Sequence, residues 1–286
     1  MALLRDFLKR SVLLFIGVPI VVIAAKLGGW VFLVFLVALT LPAMGEYYAG
    51  VEQHGGRPAS IVGYVSAAAM LLAVSFAGDA TRDRLLLFIL FLAVMLVFLV
   101  SFDRRGYRGA VHDTAVTIFG LVYIGLAMSF AARLRDLDLP TLMGAGPVFL
   151  GGHVASLLLV LAPCWALDTA AFGIGRAWGR RRLAPALSPG KTLEGAIGGF
   201  IAAVITTLLL GALWCHLPWK HALTLGCLIG IFGQVGDLAE SVVKRDLGLK
   251  DFGSIFGPHG GILDRFDDLL FVMPLAYFYL WLVFLA

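Results

Sequence analysis

Apolar runs recur along nearly the whole of this 286-residue chain. Each is long enough, some only barely, for a helix to cross the hydrocarbon of a bilayer. They lie near 11–27, 28–45, 60–77, 85–102, 114–132, 147–168, 192–214, 221–238 and 269–286. A lipid-facing segment must satisfy its backbone groups internally, so helices are expected and open strands are not. Composition agrees: 60% of residues are hydrophobic and only 14% charged, too few to coat a water-soluble domain of this size. The expected fold class is an all-α polytopic membrane protein with about nine transmembrane helices, forming one integral membrane domain over 1–286. Within it an N-terminal helical region, 1–132, precedes a more polar one, 147–286.

Lysine and arginine orient the spans. With the N-terminus in the cytoplasm, that side collects Arg5, Lys9, Arg10, Arg57, Arg104, Arg105, Arg108, Arg176, Arg180, Arg181, Arg182, Lys191, Lys244, Arg245, Lys250 and Arg265. The opposite side keeps Lys26, Arg82, Arg84, Arg133, Arg135 and Lys220. The bias supports nine spans. The first run is longer than a signal peptide needs and more spans follow at once, so it is expected to be retained. Residues 1–10 suit a short interfacial helix. The link "KLGGW" is so brief that the first two runs form either separate spans or a tight hairpin. Cys164, Cys215 and Cys227 have no metal-like spacing and read as small packing residues. Glycine-rich faces on 192–214 and 221–238 suit close helix packing and permit a homodimer.

The orientation puts two polar stretches, 173–191 and 239–268, on the cytoplasmic side, joined by a helical hairpin. Leading into the second, Asp237 and Glu240 share a helix face, continued by Ser241 and Lys244. Asp264, Asp267 and Asp268 follow beyond "GPHGG". Such carboxylates need a counter-charge, a proton or a cation. Lys244, Arg245 and Arg265 can supply the first, and Mg²⁺ suits the oxygen-rich set. Helix capping with surface salt bridges is the plainer alternative. His259 can contact phosphate, act as an acid or brace the glycine turn. Ahead of the first stretch, Asp168 ends an apolar span, where a lone acid is costly without a partner. Ser188 or Thr192 can cap the next helix, whose free N–H groups beside Lys191 form either an anion-binding corner or an ordinary cap. No Walker A or GxGxxG pattern is present. Arg180–Arg182 either hold their loop inside or meet anionic lipid. Acids for a divalent metal and bases for phosphate, gathered at one membrane edge, fit phosphoryl or nucleotidyl transfer to a lipid.

The C-terminal stretch closely resembles the phosphatidate cytidylyltransferase, or CDP-diacylglycerol synthase, family. The likeness runs through Ser241, Lys244-Arg245, Lys250-Asp251, His259-Gly260-Gly261, Ile262, Asp264-Arg265, Phe266 and Asp267, with "GQVGDLAES" and "LAPALSPGKTLEG" upstream. It departs at Gly257-Pro258, which reverses the usual order, at Asp268, where the family usually has Ser, and at Gly190 and Leu193. The resemblance implies CTP and phosphatidate as substrates, CDP-diacylglycerol and pyrophosphate as products, and a site facing the cytoplasm from the inner membrane. On this reading Asp264 and Asp267 bind metal, with Asp237 and Asp168 as further ligands. Lys191 and Lys244 bind phosphate, helped by Ser188 and Thr192. Arg245 and Arg265 hold phosphates or orient acids, and His259 shapes or contacts the site. No nucleic-acid partner is expected. The rivals are a lipid transporter, and a phosphotransferase consuming CDP-lipid, whose Asp-Gly-x-x-Ala-Arg hallmark is absent.

Overall fold

The computed structural model describes residues 17–105, 107–139, 151–255 and 260–285. Among these the chain is overwhelmingly helical, and each expected run corresponds to one helix. These are α1 (Gly17–Leu27), α2 (Gly29–Gln53), α3 (Ser60–Phe76), α4 (Asp79–Arg105), α5 (Ala110–Asp136), α6 (Gly152–Trp178), α7 (Leu193–Cys215), α8 (Trp219–Asp246) and α9 (Leu269–Phe284). Residues 1–10, and with them the expected interfacial helix, lie outside the described residues. Six helices, α2 and α4 to α8, are long and apolar enough to cross a membrane. The shorter α3, 17 residues, reaches only ~25 Å. The chain is thus a multi-pass helical membrane protein. Many large apolar side chains point outward, among them Phe88, Phe91, Ile201 and Leu209, as lipid rather than water demands.

The α1–α2 link breaks at Gly28 and Gly29, both in the left-handed region at φ +62° and +50°, which glycine alone adopts at little cost. Among the described residues the strands form one antiparallel hairpin, of β1 (Arg182–Ala184) and β2 (Ser188–Thr192), in and just beyond the first polar stretch. Thr192 ends it and caps α7, its hydroxyl accepting the Gly195 N–H at 3.2 Å.

Small residues set the helix spacing. Gly175 on α6 faces Gly195 on α7 so closely that a Cβ on Gly195 would sit 3.1 Å from the Gly175 Cα. Without a hydrophobic force between helices in lipid, such backbone contact supplies van der Waals attachment. Phenol hydroxyls tie α2 to α5: Tyr48 donates to the Thr117 carbonyl at 2.9 Å and Tyr47 to that of Val116 at 3.2 Å. Cys164 and Cys215 are buried and unbridged, matching their reading as packing residues.

Among the described residues the helix ends carry polar clusters, two of them prominent. One joins the C-terminal end of α5 to the start of α4. There Arg133 pairs with Asp83 and lies over the Phe130 and Tyr277 rings, at 5.4 and 5.2 Å. Nearby Asp136 meets Arg135 at 2.9 Å and Arg82 at 3.7 Å. The other cluster contains the signature residues.

Candidate active site

Four side chains on α8 define one wall. Asp237, Glu240, Ser241 and Lys244 recur at helical spacing and share a face. Glu240 and Ser241 are buried. Opposite them the chain enters α9 through Asp267 and Asp268. Gly236 permits this approach: a Cβ there would lie 2.8 Å from the Asp267 carbonyl oxygen and 3.1 Å from the Asp268 Cα. We expect Gly236→Ala to displace this segment and lower turnover by about tenfold or more. Gly173→Ala, whose Cβ meets open space, should be neutral. Parallel product-formation assays on the two variants check this.

The result is a three-carboxylate cluster. One oxygen each from Asp237, Glu240 and Asp267 lies within 4.8 Å of the others. The Oε1 of buried Glu240 has no hydrogen-bond partner, and its Oε2 pairs with Lys244. Burial first, then the nearby charges of Asp237, Glu240, Asp268 and Asp168, hold the Asp267 carboxyl well above the ordinary carboxylate range. Asp268 is also buried and raised, to about 6, by burial and by Asp237, against a favourable contact with the Cys164 thiol. A partly buried, oxygen-only donor set with excess negative charge is the chemistry a hard divalent cation needs.

Cations flank the cluster. Lys191, on β2, pairs with Asp237. Lys244 reaches both Glu240 and, at 2.8 Å, Asp264. Asp264 stands apart from the three-carboxylate group. Its Oδ1 takes the Lys244 ammonium, and its Oδ2 accepts the N–H groups of Gly261 at 2.8 Å and Phe252 at 3.1 Å. Burial opposes the charged form, yet these donors outweigh it and hold the Asp264 carboxyl below its usual value. Its geometry is that of a brace for the glycine-rich loop, because both oxygens are already engaged.

The remaining expected residues divide. Asp168, on α6, is close enough to raise Asp267 electrostatically. Ser188 lies on β2, opposite Ala184. Arg245 is a staple, donating to the Leu187 carbonyl at 3.2 Å and the Leu249 carbonyl at 2.9 Å, and so fastens the hairpin to α8. Arg265 sits exposed in the 3₁₀ turn Leu263–Arg265. His259 lies outside the described residues.

Sequence reasoning missed two contributions. Glu46, on α2, accepts the Ile262 and Leu263 N–H groups at 3.0 and 2.8 Å. Glu194 accepts those of Arg180 at 3.0 Å and Arg181 at 3.2 Å, anchoring the start of the hairpin. A signal for Glu46 existed: it is a lone acid within the run "ALTLPAMGEYYAGV", where an ionisable group is costly without a purpose.

The chain is similar in sequence to known proteins. A family model described as "Cytidylyltransferase family" matches residues 8–283. A phosphatidate cytidylyltransferase of Synechocystis is 31% identical, over 95% of this chain and 95% of that protein. Another, from Staphylococcus haemolyticus, is 32% identical over 94% of this chain and 95% of that protein. An uncharacterized protein of Escherichia coli, YnbB, is 33% identical over 88% of this chain and 79% of that protein.

Proposed function

The chain belongs to the cytidylyltransferase family, and from this premise we infer that it transfers the cytidylyl group of CTP to phosphatidate. A phosphatidate phosphate oxygen attacks the α-phosphorus of CTP. The bond from that phosphorus to the bridging oxygen of the β-phosphate breaks, and pyrophosphate leaves with that electron pair. CDP-diacylglycerol is the other product. The nucleophile is already anionic, so no side chain has to remove a proton. The barrier is chiefly repulsion between two anionic substrates, and neutralising it is electrostatic work. The observation that carries the reading is the Asp237–Glu240–Asp267 cluster, flanked by Lys191 and Lys244.

Asp237, Glu240 and Asp267 would hold Mg²⁺, with Asp168 nearby to complete the set. When bound, the ion supplies positive charge to the transferring phosphoryl group. Lys191 and Lys244 exchange carboxylate partners for substrate phosphates. Thr192 and Ser188 set the floor on which Lys191 stands. Arg265 holds phosphate or orients the acids, and His259 shapes or contacts the site. The finer topology is nine crossings in the inner membrane, with the N-terminus and the site cytoplasmic. Arg180–Arg182 meet anionic headgroups, and the glycine faces allow a homodimer.

The test is a liposome assay with labelled CTP and phosphatidate, following both products with and without Mg²⁺. A transporter would move lipid without releasing pyrophosphate, and that outcome would overturn the reading. A pH dependence follows as well. Because Asp267 and Asp268 are raised, protons compete with metal, so the half-activating Mg²⁺ concentration should fall as pH rises from about 6 to about 8. Without metal the sign for stability is opposite. Both groups favour the fold at low pH and lose that contribution as pH rises, through about 6 for Asp268. Thermal unfolding in detergent across this range, with and without Mg²⁺, checks both signs.

A further inference from the structure

We propose that Glu46 is a positioning residue for cytidylyl transfer, acting through the backbone that presents Asp267. The proposal rests on the synthase reading above and adds to it a residue from the N-terminal region.

Glu46 lies on α2, 216 positions in sequence before Ile262, whose N–H it accepts. Its two oxygens divide the work: Oε1 takes the Ile262 N–H at 3.0 Å and Oε2 takes the Leu263 N–H at 2.8 Å. The preceding N–H, of Gly261, goes to Asp264 at 2.8 Å. Three consecutive amides are thus held by two carboxylates, one local and one from a distant helix. Gly253 and Gly261 lie directly against the Glu46 carboxylate, and a Cβ on either would overlap it. The Glu46 seat is built from both sides of the glycine-rich loop.

This segment has little structure of its own. Its only regular element is the three-residue turn Leu263–Arg265, and Gly260 sits at φ +83°. Gly261 and Leu263 are buried, so their amides require acceptors. A carboxylate accepting backbone N–H groups forms charge-assisted bonds, stronger than a neutral acceptor provides. Asp267 follows Leu263 by four residues. Fixing amides 262 and 263 therefore fixes the origin from which Asp267 meets Asp237 and Glu240. A second route leads to the same place, through Asp264 and Lys244 to Glu240. Glu46 touches no member of the three-carboxylate cluster in its hydrogen bonds, which separates positioning from metal binding.

The experiment compares the full-length chain with Glu46→Gln and Glu46→Ala in liposomes. It reads kcat, both KM values, half-activating Mg²⁺ and amide hydrogen exchange over 260–268. Glu46→Ala should lower kcat by about thirtyfold with each KM changed less than about threefold, and should raise half-activating Mg²⁺ by about threefold or more. Glu46→Gln keeps the shape and one good acceptor, so its kcat should fall by only about fivefold. Exchange over 260–268 should rise in both. If the alanine variant does not accumulate, Glu46→Gln carries the same readouts. A merely structural residue would reduce yield and thermal stability while leaving kcat and Mg²⁺ activation of the folded fraction unchanged. That result, or unaltered exchange in Glu46→Gln, overturns the proposal. Failure of the unaltered chain to form product would instead overturn the reaction assignment, and the exchange measurement would still decide the Glu46 contact.

Discussion

Asp267→Asn should lower CDP-diacylglycerol synthesis by roughly a hundredfold to a thousandfold while the metal-free protein becomes no less stable. The two effects separate because burial and four neighbouring acids hold the Asp267 carboxyl well above the ordinary carboxylate range. Asparagine preserves shape and removes a charge that the fold resists. It also removes the anionic oxygen that a divalent cation would take. Asp264→Asn makes the useful contrast. Asp264 binds Lys244 and two backbone amides, so its loss should reduce stability and activity together. Product assays with unfolding curves in the same detergent, with and without Mg²⁺, distinguish the two patterns. Near-normal turnover by Asp267→Asn at ordinary Mg²⁺ would remove it from the metal set.

The second large effect is expected at Lys244. Its ammonium is the shared counter-charge of Glu240, fully buried, and Asp264, whose side chain is 6% exposed. Lys244→Met leaves two carboxylates facing each other without it. Removing one partner of a buried ion pair costs about 3 kcal/mol or more, because the remaining charge is stranded. The variant should therefore unfold at clearly lower denaturant concentration. Added Mg²⁺ should restore part of the loss, since a cation in the neighbouring cluster offsets the same charge. An unchanged unfolding midpoint would mean that solvent already reaches Glu240.

The nine helices of the described residues follow from hydropathy alone, because lipid leaves the backbone one economical solution. Their lengths were less legible. The runs at 60–77 and 269–286 looked no different from the rest, yet α3 and α9 are short helices of 17 and 16 residues. The hairpin within 182–192 was invisible as strand, since three- and five-residue segments rich in Gly, Pro and Arg carry no period-two pattern. At the site, Asp237 and Glu240 were readable as a pair because helix spacing is local. The arrival of Asp267 beside them depends on the contact at Gly236, which no spacing rule contains. Asp264 looked equivalent to Asp267 in "LDRFDDL", and only the hydrogen bonds tell them apart. Glu46 was the hardest to find, because its partners lie at the other end of the chain.

The pairing of Arg133 with Asp83, set against Phe130 and Tyr277, acquires a further meaning beside the acidic cluster. Tyr277 lies on α9, ten residues beyond Asp267, which precedes the start of that helix. One end of the molecule is therefore cross-stitched by opposite charges, while the other gathers carboxylates that Lys191 and Lys244 partly offset. The stitched end balances its charges from its own residues, whereas the acidic end keeps more carboxylates than lysines.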